Sequence, residues 1–354
     1  MMEPHKTRVL VVEDSPVVQT LWVQLLQSDP RFEVVGRANN GEEAIALAAT
    51  CRPDVILMDV YMPKMDGIEA TRRIMESQPV PIVVASATRD SQEVPLAFRA
   101  MEAGALAFVD KSARVGTPQF EEQARQLKQM LKLMSEIKVV RRWNRAPQAT
   151  AGPAPAVPAA GAAPRGVKLV AIGASTGGPP VLQTILARLP RGFALPLLIV
   201  QHITPGFLNG LGDWLTQTTS IPTHIAAQGQ EPLPGHAYLA PDDFHMGLQP
   251  NGRIALDNSE REYGLRPSVG HLFRSVADVL GAKAVGVLLT GMGKDGAAEL
   301  KLLKQRGALT LVQDKDTSVV HGMPGEAVAI GAASYVLPPD KIADALGNLR
   351  RPRD

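Results

Sequence analysis

A serine stands on a glycine-rich turn between an apolar run and a predicted helix. Residues 168–180 read KLVAIGASTGGPP, so Ser175 lies within a G-x-S-x-G pattern. Such a strand-to-helix turn exposes a serine hydroxyl and brings backbone amides to where they can stabilise an oxyanion. The turn lacks the lysine of a phosphate-binding loop and the spacing of a dinucleotide-binding loop. From the turn alone, two interpretations stay open, a nucleophile or a helix-capping serine.

A nucleophilic serine needs a general base and an acid that orients the base. His202 ends the apolar run LPLLIVQH, and Asp295 follows another apolar run in LLTGMGKDG. We expect both at the sheet edge that carries Ser175, because parallel strands end at one edge. Asp314 and Asp316 are competing acids. The order serine, histidine, aspartate differs from that of the α/β-hydrolases, and the histidine spacing predicts no metal site.

A second cluster of chemically active residues is acidic. Glu13 and Asp14 follow the first apolar run, Asp59 ends the third, and Lys111 follows the fifth. Three carboxylates at one edge repel one another unless a cation neutralises them, and Mg²⁺ favours such oxygen ligands. A carboxylate beside Mg²⁺ can attack phosphorus and form an aspartyl phosphate. Lys111 and the Ser86 hydroxyl could then hold the phosphoryl oxygens.

Apolar runs that alternate with helical patterns must position both clusters. The first part of the chain predicts a five-stranded parallel sheet, with strands at Arg8–Val12, Glu33–Gly36, Val55–Val60, Ile82–Ser86 and Leu106–Val109. The second part predicts a doubly wound, mostly parallel α/β domain, with strands at Lys168–Gly173, Leu195–His202, Ala284–Thr290, Leu309–Gln313 and Tyr335–Leu337. Around Tyr238–Leu256 the pattern indicates a small antiparallel hairpin instead.

A stretch rich in alanine and proline divides the chain. Residues 146–166 read APQATAGPAPAVPAAGAAPRG, which offers almost nothing to bury and favours an extended chain. An alanine-rich helix is the alternative, but closely spaced prolines would break it. We therefore predict a first domain at 1–140, a linker at 141–166 and a second domain at 167–354.

Composition excludes several classes of protein. The 354 residues carry a formal net charge of +2, so no overall field attracts nucleic acid or a membrane surface. The single cysteine, Cys51, excludes an intrachain disulfide scaffold and is typical of a reducing compartment. No apolar stretch approaches the length of a membrane-spanning helix. The sequence predicts a soluble cytoplasmic protein with no nucleic-acid partner and no membrane insertion.

The first domain resembles the response-regulator receiver domain over roughly residues 7–135. The matching motifs are LVVEDSP, ILMDVYMPKMDGIEA, VVASAT and AFVDKS. The resemblance implies a flavodoxin-like fold, Asp59 as phosphoacceptor, and Mg²⁺ held by Glu13, Asp14, Asp59 and the backbone carbonyl of Tyr61. It further implies Ser86 and Phe108 as a switch pair and Lys111 as the lysine that senses the phosphate. One departure is Ser112, where the family commonly has a proline.

The second domain resembles the catalytic domain of the chemotaxis protein-glutamate methylesterases, the CheB type, over residues 167–349. The matching stretches are AIGASTGGP, LIVQHI, GHAYLAP, RPSV, LLTGMGKDGA and VVHGMPGEAV. The resemblance implies Ser175 as nucleophile, His202 as base and Asp295 as the orienting acid. The amides of Met292 and Thr176 would bind the oxyanion, and the esterase reaction would need no cofactor. Two departures are Gly270, where the family's RPSVD has an acid, and the Asp242-Asp243 pair in place of the family's APGD ending.

The resemblance also implies an activity, partners and a mode of regulation. The activity is hydrolysis of glutamate γ-methyl esters, and deamidation of glutamines, on methyl-accepting chemoreceptors, with a chemotaxis histidine kinase as phosphodonor. The receiver would occlude the active site until Asp59 is phosphorylated. A phosphorylation-switched adaptor with an inactive hydrolase-like domain is the alternative. A DNA-binding regulator is disfavoured, because the second domain shows no basic helix-turn-helix pattern.

Overall fold

The structure is a computed structural model that describes residues 6–86, 93–111, 114–137, 139 and 166–349. The chain divides into two compact units, residues 1–149 and 150–354. Apart from Gly166, the predicted linker at 141–166 lies outside the described residues, as does Ser112, and the predicted domain limits stay predictions. Among the described helices, none is long and apolar enough to cross a bilayer.

The first unit alternates strands and helices. Its elements in chain order are β1 (Thr7–Val12), α1 (Pro16–Gln27), β2 (Phe32–Ala38), α2 (Gly41–Cys51), β3 (Val55–Asp59), α3 (Gly67–Ser77), β4 (Ile82–Ser86), α4 (Glu93–Ala103), β5 (Ala107–Asp110) and α5 (Pro118–Ser135). All five strands pair in parallel, in the order β2-β1-β3-β4-β5. This is the flavodoxin-like order, in which β1 and β3 flank the point where the strand order reverses. The predicted five-stranded parallel sheet is confirmed.

The second unit has a larger sheet and a separate ribbon. Its elements are β6 (Leu169–Ala174), α6 (Gly178–Arg188), β7 (Leu197–Gln201), α7 (Leu208–Thr218), β8 (Thr223–Ile225), β9 (Ala237–Leu239), β10 (His245–Leu248), β11 (Ile254–Asp257), α8 (Val269–Val279), β12 (Ala284–Leu288), α9 (Ala297–Gln305), β13 (Leu309–Gln313), α10 (Met323–Ala329), β14 (Tyr335–Leu337) and α11 (Pro339–Gly347). Seven strands pair in parallel in the order β14-β13-β12-β6-β7-β9-β8. The order reverses between β6 and β12, which opens a crevice at their carboxyl ends.

The predicted hairpin is confirmed only in its later part. β10 and β11 form an antiparallel ribbon, but Tyr238 lies in β9, which pairs in parallel with β7 and β8. Tyr238 is almost fully buried, so β9 belongs to the core and not to a surface hairpin. The three-residue edge strand β8 was not predicted, because its half-exposed residues carry no alternating apolar pattern.

Candidate active site and phosphoacceptor site

Ser175 directly follows β6 on a tight turn. Its amide donates to the carbonyl of Thr290 at 3.0 Å, and its carbonyl accepts from the amide of Gly178 at 2.8 Å. Gly177 adopts a left-handed φ of 77°, which favours glycine. A Cβ on Gly291 would lie 2.7 Å from the Cβ of Ser175. The serine is therefore fixed between the ends of β6 and β12, at the point where the strand order reverses.

His202 directly follows β7, the neighbour of β6. Its amide donates to the carbonyl of Ala174 at 2.9 Å. The buried side-chain amide of Gln201 donates both to the carbonyl of Ser175 at 2.8 Å and to that of His202 at 2.7 Å. This bidentate contact ties the main chain of the serine turn to that of the histidine, so the two residues are held at neighbouring strand ends.

Asp295 lies in the loop after β12, almost fully buried. Its Oδ1 accepts hydrogen bonds from the Ser268 hydroxyl and the Gly270 amide, both at 2.9 Å, and its Oδ2 accepts from the Val269 amide at 2.7 Å. Oδ2 also lies 3.1 Å from Nε2 of His202. The competing acid Asp314 instead accepts from the amide of Thr317 in a local turn.

The environment of Asp295 favours its charged form. Burial acts to raise the pKa of this carboxyl, but His202 and the amides of Gly270 and Val269 outweigh it and hold the pKa below its ordinary value. These amides open α8, so the carboxylate occupies a helix N-terminus, where the helix dipole stabilises negative charge. A charged Asp295 can stabilise an imidazolium on His202.

The contact between His202 and Asp295 is close but not aligned. Nε2 of His202 lies at contact distance from the carboxylate, yet within the described residues it makes no hydrogen bond of good geometry. Catalytic hydrogen bonds are often poorly aligned without substrate and tighten when substrate binds. The loops after β6, β7 and β12 thus bring to one sheet edge the three residue types of a serine–histidine–aspartate triad, with His202 beside Asp295.

The serine turn limits which amides could bind an oxyanion. Pro179 and Pro180 in the first turn of α6 carry no N–H, and the amide of Gly178 is already bonded to Ser175. Thr176, which directly follows the serine, is half-buried and is held through its carbonyl by the Thr290 hydroxyl at 2.9 Å. Met292 lies in the loop after β12 with 43% of its surface exposed. Both predicted oxyanion residues therefore flank the crevice.

The acidic cluster of the first unit forms at the ends of β1 and β3. Glu13, Asp14 and Asp59 offer carboxylate oxygens that lie within 4.8 Å of one another. Burial, followed by the charge of Asp59, raises the pKa of Glu13 to about 7. Among the described residues, buried Oε2 of Glu13 has no hydrogen-bond partner. An orphaned buried oxygen among crowded carboxylates fits the oxygen-ligated cation Mg²⁺. The side chain of Tyr61, two residues after Asp59, is half-exposed.

The neighbours of Asp59 hold it in place. Its Oδ1 is paired with the ammonium of Lys111 and accepts from the Val60 amide at 2.8 Å. Gly67, the first residue of α3, must be glycine, because a Cβ there would lie 1.9 Å from the carbonyl oxygen of Asp59.

The predicted switch residues lie one strand further along. Ser86 is fully buried at the end of β4, and its carbonyl accepts from the Lys111 amide at 3.0 Å. Phe108 is buried edge-to-face against Phe98, with ring centroids 5.5 Å apart. The structure thus brings Ser86 and Lys111 to the edge that carries Asp59 and places Phe108 on the adjacent strand β5.

Comparisons with known proteins give a family for each part of the chain. The family model for the CheB methylesterase matches residues 170–346, and that for the response regulator receiver domain matches residues 9–117. A protein-glutamate methylesterase/protein-glutamine glutaminase of Geobacter metallireducens is 52% identical over 343 residues, which are 97% of this chain and 98% of that protein. This chain belongs to the CheB methylesterase family.

One further relative and one solved structure are also similar to this chain. The protein of the same description from Syntrophus aciditrophicus is 53% identical over 97% of this chain and 98% of its own length. The crystal structure of the CheB methylesterase catalytic domain of Thermotoga maritima is 41% identical and covers 51% of this chain and 97% of that one, with a TM-score of 0.49.

Several supporting residues of this CheB-family site escaped sequence reasoning. Ser268 bonds to the carboxylate of Asp295, and Gln201 and Thr290 bond to the main chain of Ser175. Ser268 directly precedes a helical pattern, which is the position where a capping serine is expected. It does cap α8. Its second bond, to Asp295, depends on the tertiary approach of α8 to the loop after β12, which no local pattern encodes.

Proposed function

We propose that this protein is a phosphorylation-regulated serine esterase of the cytoplasm. Its substrates are glutamate γ-methyl esters on methyl-accepting chemoreceptors, and it also deamidates receptor glutamines. The main support is the convergence of Ser175, His202 and Asp295 at the reversal point of the second sheet, in a chain of the CheB family.

The reaction is an acyl transfer through a serine ester. Ser175 Oγ attacks the γ-carbonyl while His202 accepts the hydroxyl proton and passes it to the departing methoxide, so methanol leaves. Because Nε2 faces Asp295, Nδ1 is the histidine nitrogen left to take the proton. The amides of Thr176 and Met292 hold the oxyanion. Water, deprotonated by His202, then cleaves the acyl-enzyme and releases the glutamate carboxylate; from glutamine the first leaving group is ammonia.

The first unit supplies regulation. A chemotaxis histidine kinase provides the phosphoryl group that Asp59 accepts. Glu13, Asp14, Asp59 and the Tyr61 carbonyl would hold Mg²⁺ beside it. When bound, Mg²⁺ supplies positive charge for the phosphoryl oxygens. Lys111 moves from Asp59 to a phosphoryl oxygen, and Ser86 and Phe108 rearrange around it. In the unphosphorylated state the receiver occludes the Ser175 crevice, and phosphorylation releases it.

The test is methanol release from a methylated receptor fragment, with and without Mg²⁺ and a small phosphodonor. We expect wild type to release methanol faster with the phosphodonor. Ser175→Ala should lower kcat by roughly 10⁴-fold or more, and Asp59→Asn should lose only the stimulation. Receptor binding that responds to phosphorylation without any methanol release would identify the switched adaptor instead.

A further inference from the structure

Two loops beside the active site carry exposed aromatic side chains. Phe244 follows β9 and is 41% exposed, and Tyr263 lies between β11 and α8 and is 62% exposed. Asp243 joins the loops, because its Oδ1 lies 2.8 Å from Nη2 of Arg261. We call Phe244, Tyr263, Met292 and Lys294 the aromatic rim.

The rim lies at the edge of the sheet that carries the triad. Lys294 directly precedes Asp295, and its Nζ lies 5.7 Å above the ring of Tyr263, which is cation–π distance. Asp242, in the Phe244 loop, accepts from the amide of Gly206 at 3.3 Å, in the loop that follows His202. The rim therefore borders the loops that hold the histidine and the aspartate.

The backbone of the rim is strained. Asp243 and Tyr263 have φ values of 60° and 51° and are the non-glycine residues with left-handed φ among the described residues of the second unit. Tyr263 and Gly264 are the central residues of a tight turn closed by reciprocal hydrogen bonds between Glu262 and Leu265. Asparagine or glycine suits the first position of such a turn far better than an aromatic residue does. Strain that persists in this way is concentrated at ligand-binding positions.

The rim combines apolar surface with positive charge. Arg261 is paired with Asp243, whereas Lys294 has no carboxylate within ion-pair distance among the described residues. Its ammonium is free to meet an acidic group of a ligand. An exposed tyrosine beside a lysine suits an amphipathic helix that carries glutamates. The resemblance to the CheB family implies a substrate of this kind, because it places the glutamyl esters on chemoreceptor signalling helices.

We infer that Tyr263 and Lys294 form a substrate-contact pair that selects helical, glutamate-rich receptor segments over short esters. The inference rests on the proposed function and adds the residues that determine its specificity. Tyr263 packs against the apolar stripe of the receptor helix, and Lys294 pairs with an unmethylated glutamate near the ester.

The experiment compares two substrates with the phosphorylated full-length protein. They are a methylated receptor fragment and a short unstructured peptide with one glutamate γ-methyl ester. For Tyr263→Asn we expect the ratio of the two kcat/KM values, receptor fragment over peptide, to fall about tenfold, chiefly through KM for the fragment. The thermal midpoint should not fall, because asparagine tolerates left-handed φ. Lys294→Gln should lower the same ratio and weaken its dependence on salt.

Leu233→Asn is the matched control. Leu233 is 48% exposed, but it precedes β9 and so lies at the opposite edge of the sheet. For Leu233→Asn, the ratio of the two kcat/KM values should equal that of wild type. An unchanged ratio for Tyr263→Asn in an active enzyme would overturn the inference and leave the esterase function standing. No methanol from wild type with either substrate would remove the function itself. Full activity of Tyr263→Asn without phosphorylation would show that the rim contacts the receiver and not the receptor. That result would also overturn the inference.

Discussion

At the scale of single residues, the candidate site depends on how Asp295 is held. A buried carboxylate is costly unless hydrogen bonds compensate for lost water, and Asp295 accepts three of them from the start of α8. Of these, the bond from Ser268 is the one that a side-chain substitution can remove. Its hydroxyl also accepts from the His271 amide at 3.2 Å, so one atom both caps the helix and orients the acid.

We expect Ser268→Ala to lower kcat about tenfold with little change in KM, because Asp295 would orient His202 less well. Loss of the cap and of a bond to a buried charge should lower the free energy of unfolding by about 2–3 kcal/mol at neutral pH. Ser268→Thr, which keeps the hydroxyl, should restore much of kcat. An equal loss in both variants would contradict a role for the hydroxyl.

The stability loss in Ser268→Ala should also depend on pH. The native environment lowers the pKa of Asp295, so its carboxylate stabilises the fold above the ordinary aspartate pKa and loses this effect as pH falls through the native value. The deficit relative to wild type should therefore be full at pH 7 and shrink at about pH 3. Urea unfolding at both pH values measures it; a constant deficit would show that only the helix cap was lost.

At the scale of elements, both candidate sites lie where a parallel sheet reverses its strand order. Chains leave neighbouring strands in opposite directions there, so the loops separate and leave a crevice. In the second unit, the turn between β6 and α6 fills one side of it. A Cβ on Gly177 would lie 2.5 Å from the Cβ of Val319, so the residue that bends the turn also lets a neighbouring loop approach.

We expect Gly177→Ala to lower the free energy of unfolding by about 3 kcal/mol or more and to lower kcat strongly, through both backbone strain and overlap. Gly192→Ala is the matched control, because Gly192 has a φ of 79° but an added Cβ would have no atom of the described residues within 4 Å. Gly192→Ala should lower the free energy of unfolding by only about 1–2 kcal/mol and leave kcat unchanged. Thermal unfolding measures the stability of both variants, and methanol release measures their kcat. Equal kcat values for Gly177→Ala and Gly192→Ala would argue against a tight turn at the nucleophile.

At the scale of the whole molecule, each unit has its own sheet and its own candidate site. In the proposed function, Asp59 accepts a phosphoryl group in the first unit, and the crevice around Ser175 hydrolyses an ester in the second. The proposed occlusion couples the two through a chain segment whose composition favours an extended linker. Interfaces between domains of one chain are typically modest and polar, so a change of charge at Asp59 can release them.

We expect a fragment of residues 167–354 to hydrolyse the methylated receptor fragment about tenfold faster than the unphosphorylated full chain, because nothing then competes for the crevice. Full-length Asp59→Asn with phosphodonor should stay as slow as the unphosphorylated wild type. Initial rates of methanol release compare the three. A fragment no faster than the unphosphorylated chain would contradict occlusion.

Much of this organisation follows from the sequence, because it depends on local patterns. Buried parallel strands read as apolar runs, and the polar residue that ends each run must reach the sheet edge. Ser175, His202, Asp295 and Asp59 could therefore be assigned to two edges before any contact was known. Short or half-exposed strands carry no such pattern, so β8 was missed and Tyr238 was placed in a hairpin.

Tertiary structure decided what surrounds these residues. The hydroxyl of Ser268 reaches Asp295 and the side chain of Gln201 bridges two carbonyls only because α8 and β7 pack beside β6. The Tyr263 ring meets Lys294 across 31 residues of chain, which include α8 and β12. The sequence by itself determined which chemical groups stand at the strand ends, since periodicity is local. Only the folded chain determined which of them are buried, paired or strained, since these properties arise from contacts between distant segments.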